Sequence, residues 1–152
     1  PDWVLVLGLG GKLAPATLAP VPDNALLLPW APQLEVLAIA DCAITHGGIT
    51  TINECIASGV PMVVYSTGHV DQDGCAVRVA HHGLGIKADK ERDGPTAIVD
   101  NVERVLGDPA IRERVAAMRE VFERYTAEAP ALRLVEAALV AEGRQERDGD
   151  RA

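Results

Sequence analysis

Short apolar runs alternate with helix-forming segments across residues 30–72, and this alternation limits the possible folds more than any other feature. The runs Asp41–Thr45 and Met62–Tyr65 are short and mainly apolar, which is typical of buried strands. Ile49–Ser58 and Gln72–His82 are longer and each is followed by a glycine, which is typical of helices. Strands that alternate with helices and short loops favour a parallel sheet, so we predict an α/β fold.

The same alternation continues on both sides of this segment. We predict a Rossmann-like parallel sheet with helices on both faces, because right-handed crossovers place them there, followed by additional C-terminal helices. Residues 1–142 are expected to form the domain, and the charged residues 143–152 are expected to form a disordered tail. Lys12–Asn24 is expected to be irregular, with room for one helical turn. The remaining predicted strands are Trp3–Leu7, Ala25–Leu28 and Leu84–Ile86. The remaining predicted helices are Pro32–Ala40, a helix that begins at Pro95, a helix that begins at Asp108-Pro109, and Ala131–Ala141.

Composition excludes several classes of function. The chain has 152 residues, of which 48% are hydrophobic, so it can bury the core of one domain. Its net charge of −8 argues against nucleic acid or an anionic membrane as a partner. No apolar run approaches the roughly 20 residues of a membrane span. The three cysteines form no CxxC pair, which favours a reducing cytoplasm over disulfides or a metal site. Because the chain begins at Pro1, we expect a removed leader or a longer parent protein.

Unusual polar and aromatic residues come directly after three of the predicted strands. Trp30 follows the second strand, His46 follows the third, and Asp71 with Gln72 lies beyond the fourth. Parallel α/β sheets bind ligands beyond the carboxyl ends of their strands. We therefore expect these residues to meet at one rim of the sheet.

The sequence from His46 to Thr51 is suited to an anion. Gly47 and Gly48 precede a predicted helix, so a phosphate could approach the backbone and the first-turn amides. Thr50 and Thr51 add hydroxyls at the same helix end. The alternative is a glycine turn beside an incidental histidine, and the tripeptide alone does not decide between the two.

Five other residues could contact the rest of a nucleotide sugar. Glu54 lies one helical turn after the threonines, where a ribose would lie, and Trp30 could stack on a base. Asp71 and Gln72 could bond sugar hydroxyls. The alternatives are a surface glutamate, a core tryptophan, a helix-capping aspartate, and a helix-start role for Gln33.

The order and spacing of these residues resemble the donor-binding box of the UDP-glycosyltransferase superfamily, which includes plant secondary-product enzymes and bacterial antibiotic and macrolide enzymes. The likeness extends from about Trp3 to Leu139. Ser66 stands where the family commonly has proline, and the interval from Pro61 to Asp71 is one residue longer than usual. The matching motifs are W-A-P-Q at 30–33, H-x-G-x-[NT]-[ST]-x-x-E at 46–54, G-V-P at 59–61 and D-Q at 71–72.

The resemblance implies the C-terminal half of a GT-B fold, without the first strand of that half and without the N-terminal acceptor domain. It implies that Trp30 stacks on uracil or thymine, and that His46 and the amides of Gly48–Thr51 hold the diphosphate without a metal. It also implies that Glu54 bonds the ribose. By the same resemblance, Asp71 and Gln72 bond the donor sugar.

The implied function is the donor-binding part of an inverting hexosyltransferase. A sugar would move from a UDP- or dTDP-sugar to a hydroxyl of a small lipophilic, natural product-like acceptor, with no cofactor. The catalytic base would lie outside this chain, so the chain alone is expected to be inactive. A further segment, a partner chain or a dimer is expected to complete the sheet. The alternatives are a non-catalytic nucleotide- or partner-binding module, and an amino-sugar transferase or epimerase of the same broad fold.

Overall fold

A computed structural model describes residues 3–18 and 20–149, with side chains described up to Leu139 except at Val70. Five short strands alternate with helices, and three helices end the chain, as predicted. The strands are β1 (Leu5–Gly8), β2 (Ala25–Leu28), β3 (Ala43–Thr45), β4 (Met62–Val64) and β5 (Gly85–Lys87). The helices are α1 (Gln33–Leu37), α2 (Ile49–Ser58), α3 (Val70–His81), α4 (Pro95–Gly107), α5 (Pro109–Glu128) and α6 (Pro130–Gly149), with a 3-10 turn at Pro15–Leu18.

All strand pairs in the described chain are parallel, but they form two separate sheets. β1 pairs with β2, with Leu5 opposite Ala25. β4 lies between β3 and β5, with Met62 opposite both Ala43 and Gly85. Among the described residues, β1 pairs only with β2 and β3 only with β4, and the family resemblance implies that a missing strand lies between β1 and β3.

The core surrounds β4. Its residues Met62, Val63 and Val64 are all 0% exposed, and since neighbouring side chains of a strand point to opposite faces, both faces of this sheet are covered. α3 and α4 pack on β4 and β5, and α5 packs on α2. The prediction of a parallel sheet with helices on both faces is therefore confirmed for β3–β5.

The two-stranded sheet is much less covered. Leu7 on β1 is 39% exposed and Leu26 on β2 is 51% exposed. The residues between these strands contain only a short 3-10 turn among the described positions, so no long helix of this connection packs on the pair.

Several boundaries differ from the predicted ones. α3 begins at Val70 rather than Gln72, and Asp71 and Asp73 in its first turn complement the helix dipole. α6 continues to Gly149, so the tail expected at 143–152 is helical over its described part; alanine, leucine, glutamate and arginine are strong helix formers. Tyr125 is 57% exposed, whereas Met118 and Phe122 of the same helix still pack against the core.

Among the helices that the structure describes, none is both long enough and apolar enough to cross a lipid bilayer.

Candidate functional site: a parallel-strand rim with an open helix N-terminus

The connection from β3 to α2 is shaped by glycine. Gly47 has φ of 91°, and a Cβ there would lie 2.9 Å from Cγ1 of Val64, so a side chain would be both strained and obstructed. The Gly47 amide donates to Oγ1 of the buried Thr45 at 3.2 Å. Gly48 is the N-cap of α2 and carries no side chain, so the first amides of the helix stay open to an anion.

His46 lies over this helix end. A Cβ at Gly48 would be only 2.9 Å from Nε2 of His46, which places the imidazole directly beside the N-cap. His46 is exposed, and Thr50 is exposed in the first turn of α2. The predicted association of a histidine, two glycines and a threonine around one helix N-terminus is therefore present in the structure.

Gln33, Thr51 and Glu54 form one hydrogen-bonded cluster. Nε2 of Gln33 donates to Oγ1 of Thr51 at 3.3 Å and also to Oε2 of Glu54. Gln33 begins α1, and the other two residues lie on α2, against which α1 packs. Glu54 is half-buried on the rim side rather than free on the surface. The cluster offers a carboxylate and an amide to a polyhydroxylated group.

Trp30 is not a core residue. It comes after β2 and is 75% exposed, so the alternative of core packing is wrong. The chain after it passes close to the end of β1, where a Cβ at Gly8 would lie 3.0 Å from Cβ of Ala31. The indole is thus presented at the same end of the strands as the other residues, with its face available for stacking.

Asp71 and Gln72 lie in the first turn of α3. The N-cap of this helix is His69, so Asp71 does not occupy the capping position that was its alternative role. A Cβ at Gly47 would lie only 3.2 Å from the Gln72 carbonyl oxygen. The first turn of α3 therefore packs against the glycine loop between β3 and α2. In the described chain no hydrogen bond joins Trp30 or Asp71 to the Gln33 cluster. These two residues follow other strands of the same rim and do not contact the cluster through a hydrogen bond.

The sequence did not indicate a polar network behind this rim. The Tyr65 hydroxyl donates to Oδ2 of Asp93 at 3.1 Å, and the Asn101 amide donates to Asp93 at 2.9 Å and to the Tyr65 oxygen at 3.2 Å. Burial raises the pKa of Tyr65, and hydrogen bonding to Asp93 adds to the rise. Tyr65 is 28 residues from Asp93 and 36 from Asn101, and no local pattern could have joined them. The network attaches the end of β4 to the connection between β5 and α4.

An open pocket of about 440 Å³ lies beyond the carboxyl ends of β4 and β5. It is lined by the loop Ser66–Gly68, by Asp73 on α3, and by a charged turn after β5. This pocket adjoins the first turn of α3. The last residue of β5, Lys87, lines it together with the turn residues Ala88, Asp89, Lys90 and Glu91.

The cysteines do not contribute reactive groups to the rim. Burial is the main cause that raises the pKa of Cys42 to about 11 and that of Cys55 to about 12, so both are neutral thiols near pH 7. Within residues 3–18 and 20–139, no group of three or more His, Cys, Asp or Glu side chains is arranged to hold a metal ion.

The domain combines a parallel sheet, an open helix N-terminus behind a glycine loop, and polar groups that converge at the strand ends. These features are typical of a nucleotide-binding domain. A family model described as erythromycin biosynthesis protein CIII-like, C-terminal domain, matches residues 5–135. The chain belongs to this family of glycosyltransferase C-terminal domains.

Curated relatives agree with this assignment. The oleandomycin glycosyltransferase of Streptomyces antibioticus is 33% identical over 152 residues, which cover 99% of this chain and 35% of that protein. The NDP-glycosyltransferase YjiC of Bacillus subtilis is 33% identical over 119 residues, which cover 78% of this chain and 30% of that protein. The chain therefore spans about a third of the length of these relatives.

Solved structures match the fold. A glycosyltransferase of kitacinnamycin superimposes with a TM-score of 0.82 at 35% identity, covering 90% of this chain and 35% of that chain. The calicheamicin glycosyltransferase CalG4 also gives a TM-score of 0.82, at 36% identity, covering 90% of this chain and 34% of that chain. The predicted α/β architecture of a GT-B C-terminal half is confirmed.

Proposed function

We propose that this chain binds the nucleotide sugar for an inverting glycosyltransferase that uses a UDP- or dTDP-sugar as donor. The observation that carries the proposal is the convergence of three strand ends on one rim: Gln33 bonds Glu54, and the Gly47 loop touches Gln72. Family membership supports the same class of reaction and does not favour the non-catalytic alternative.

The proposed arrangement follows the rim from one side to the other. The base stacks on Trp30, the ribose hydroxyls bond Glu54 and Gln33, and the diphosphate lies at the N-terminus of α2. His46, the threonine hydroxyls and the amides from Gly48 onwards surround that diphosphate. The sugar then extends towards Asp71 and Gln72.

The proposed chemistry uses the open helix end at the moment of bond cleavage. As the acceptor oxygen attacks the anomeric carbon, the carbon–oxygen bond to the diphosphate breaks, and negative charge grows on the leaving phosphate. Amides, Thr50 and His46 already face that position, so their dipoles need no reorganisation as the charge develops. We propose that the base that removes the acceptor proton lies outside this chain, as does the pocket for a small lipophilic acceptor.

We propose that a strand from another segment of the parent polypeptide, from a partner chain or from a second copy joins β1 to β3. Each of these strands has only one partner in the described chain, which leaves one edge of each without ladder bonds. In the full-length polypeptide the amides of β1 and β3 should therefore exchange more slowly than in the 152-residue chain. Equal exchange rates would refute a strand supplied by another segment of the parent polypeptide.

The three cysteines are free thiols in the structure, which supports a cytoplasmic location. Titration of the purified, unreduced protein should recover all of them. A disulfide in protein taken directly from its cell would contradict this location.

Nucleotide affinity tests the site. Trp30→Ala should weaken binding of UDP or dTDP by about 1–3 kcal/mol, because it removes the base-stacking surface. Calorimetry of the full-length polypeptide measures the change. The matched control is Tyr125→Ala, which removes an exposed aromatic side chain of α5 and should leave affinity unchanged. Equal affinity of Trp30→Ala and the parental protein would remove Trp30 from the site.

A further inference from the structure

The side-chain amide of Gln72 is held in one orientation by the preceding loop. Its Oε1 accepts two hydrogen bonds from Thr67, one from the backbone amide at 3.2 Å and one from the hydroxyl at 2.6 Å. Gln72 is half-buried, whereas Thr67 is exposed. The loop therefore contacts the oxygen end of the Gln72 amide and makes no hydrogen bond to its nitrogen.

The chemistry of the partners determines which end of the amide faces the loop. A backbone N–H can only donate, so the Gln72 atom that meets the Thr67 amide must be the carbonyl oxygen. The reverse orientation would place an NH₂ group against the backbone N–H donor and would lose that bond, although the Thr67 hydroxyl could still accept from the NH₂ group. The free end of Gln72 is consequently Nε2, which is only a donor.

The loop itself is already folded for this contact. The Ser66 hydroxyl accepts from the Gly68 amide at 3.2 Å, and Gly68 takes φ of 86°, which glycine adopts without strain. Directly before the loop, Tyr65 is attached to Asp93 and Asn101. A side chain that is already held in place loses less conformational entropy when a ligand binds.

We propose that Thr67 is a positioning residue that fixes Gln72 as a hydrogen-bond donor to an oxygen of the donor sugar. This inference rests on the proposed function, because it concerns the sugar end of the same site. The neighbouring carboxylate of Asp71 can only accept when ionised. The two side chains together fit a hydroxylated sugar, in which one oxygen accepts from Gln72 and one hydroxyl donates to Asp71. A deoxysugar without an oxygen at the Gln72 position would gain nothing from Thr67.

Two substitutions at Thr67 test the inference in the full-length polypeptide. Thr67→Val keeps the shape and the backbone donor but removes the stronger bond to Gln72, whereas Thr67→Ser keeps both donors. Calorimetry measures the affinity for UDP-glucose and for UDP, and likewise for dTDP-glucose and for dTDP. Thr67→Val should weaken binding of the nucleotide sugar about three- to tenfold, the range expected for loss of one hydrogen bond, and leave binding of the nucleotide unchanged. Thr67→Ser should bind both as the parental protein does.

Two substitutions at Gln72 separate positioning from general structure. In a Gln72→Ala background, Thr67→Val should have no further effect, because Thr67 acts only through the amide. Gln72→Glu keeps an oxygen for Thr67 but replaces the outward donor by an acceptor, so it should weaken nucleotide-sugar binding while thermal melting stays unchanged. For catalysis, KM for the nucleotide sugar should rise more than kcat falls.

The outcomes distinguish this inference from the proposed function. If the parental protein binds neither nucleotide, the proposed function fails, and the role of Thr67 fails with it. If nucleotides bind but Thr67→Val weakens UDP and UDP-glucose equally, or weakens neither, only the role of Thr67 is overturned. An additive effect of Thr67→Val in the Gln72→Ala background would likewise overturn it.

Discussion

The two sheets of this domain show that similar strands can have very different structural support. β4 is three residues long and wholly buried, whereas β1 and β2 are four residues long and expose apolar side chains such as Leu7 and Leu26. The difference lies in the connections that leave the strands: long helices come after β3, β4 and β5, but a mainly irregular connection comes after β1. A two-stranded sheet is marginal in water unless other elements cover it.

The candidate site is divided between these two regions. His46, Glu54 and Gln72 lie beside the buried sheet, whereas Trp30 comes after the exposed one. The proposed diphosphate and sugar ends of the site therefore lie on a buried support, and the proposed base end lies on a more exposed one that additional packing would stabilise. Four measurements test this contrast, in decreasing order of expected effect.

Catalysis should show the largest effect. The 152-residue chain should give no measurable acceptor-dependent release of UDP or dTDP, because the base and the acceptor pocket are proposed to lie outside it and together they contribute many orders of magnitude to the rate. The full-length polypeptide should release nucleotide with phenolic or macrolide acceptors and lose activity on His46→Ala or Asp71→Ala. Acceptor-dependent release by the 152-residue chain would overturn this division and make His69 the first candidate base.

Truncation of an apolar side chain should destabilise the protein more in the buried sheet than in the exposed one. Met62→Ala on β4 should lower the free energy of unfolding by about 2–5 kcal/mol, because it leaves a cavity in a fully buried site. Leu26→Ala on β2 should cost less than about 1 kcal/mol, because half of that side chain already contacts water. Urea denaturation measures both. Similar costs at the two positions would mean that the sheets are equally supported.

The glycine loop should show a smaller but specific effect. Gly47→Ala places a residue at φ of 91° and brings its Cβ to 2.9 Å from Val64, so we expect a loss of roughly 2–3 kcal/mol in unfolding free energy and weaker nucleotide binding. Gly68→Ala is the matched control: its φ is 86°, but no atom lies within 4 Å of the added Cβ. A loss at Gly68 as large as that at Gly47 would show that backbone strain, and not contact with the buried strand, determines the cost.

Alkaline pH should have the smallest effect. Because the folded state raises the pKa of Tyr65, the neutral phenol is favoured by folding. Its contribution is complete below the ordinary tyrosine pKa of about 10 and is lost as the pH rises through the higher folded-state pKa. Tyr65→Phe should remove this part of the alkaline decline in stability, measured by urea denaturation across pH. A decline identical to that of the parental protein would exclude Tyr65 as its source.

The sequence predicts the features that depend on local pattern. β2 and α2 have their predicted bounds, because an apolar run closed by proline and a helix closed by a left-handed Gly59 are both local signals. The rim could be predicted as well, because parallel strands bring their carboxyl ends together. Its assignment to a nucleotide sugar depended on the order of several motifs and not on any single residue.

Contacts between distant segments could not be predicted in this way. The Tyr65 network joins residues up to 36 positions apart. The orientation of Gln72 is a local contact, with Thr67 five positions away, but it depends on the fold of the loop between them. The charged C-terminal residues predict a tail by composition, but most of them are good helix formers, and α6 extends through them to Gly149.

The contact between Gly47 and the Gln72 carbonyl has a consequence for attempts to change the donor. The loop proposed to hold the phosphate and the helix proposed to hold the sugar share a van der Waals boundary, and they are not independent modules. A graft that exchanges only residues 66–72 would alter the surface against which Gly47 rests and so shift the adjoining backbone. Transfer of 45–72 as one piece would preserve that boundary, and sugar preference could then be varied without disturbing the anion-binding end.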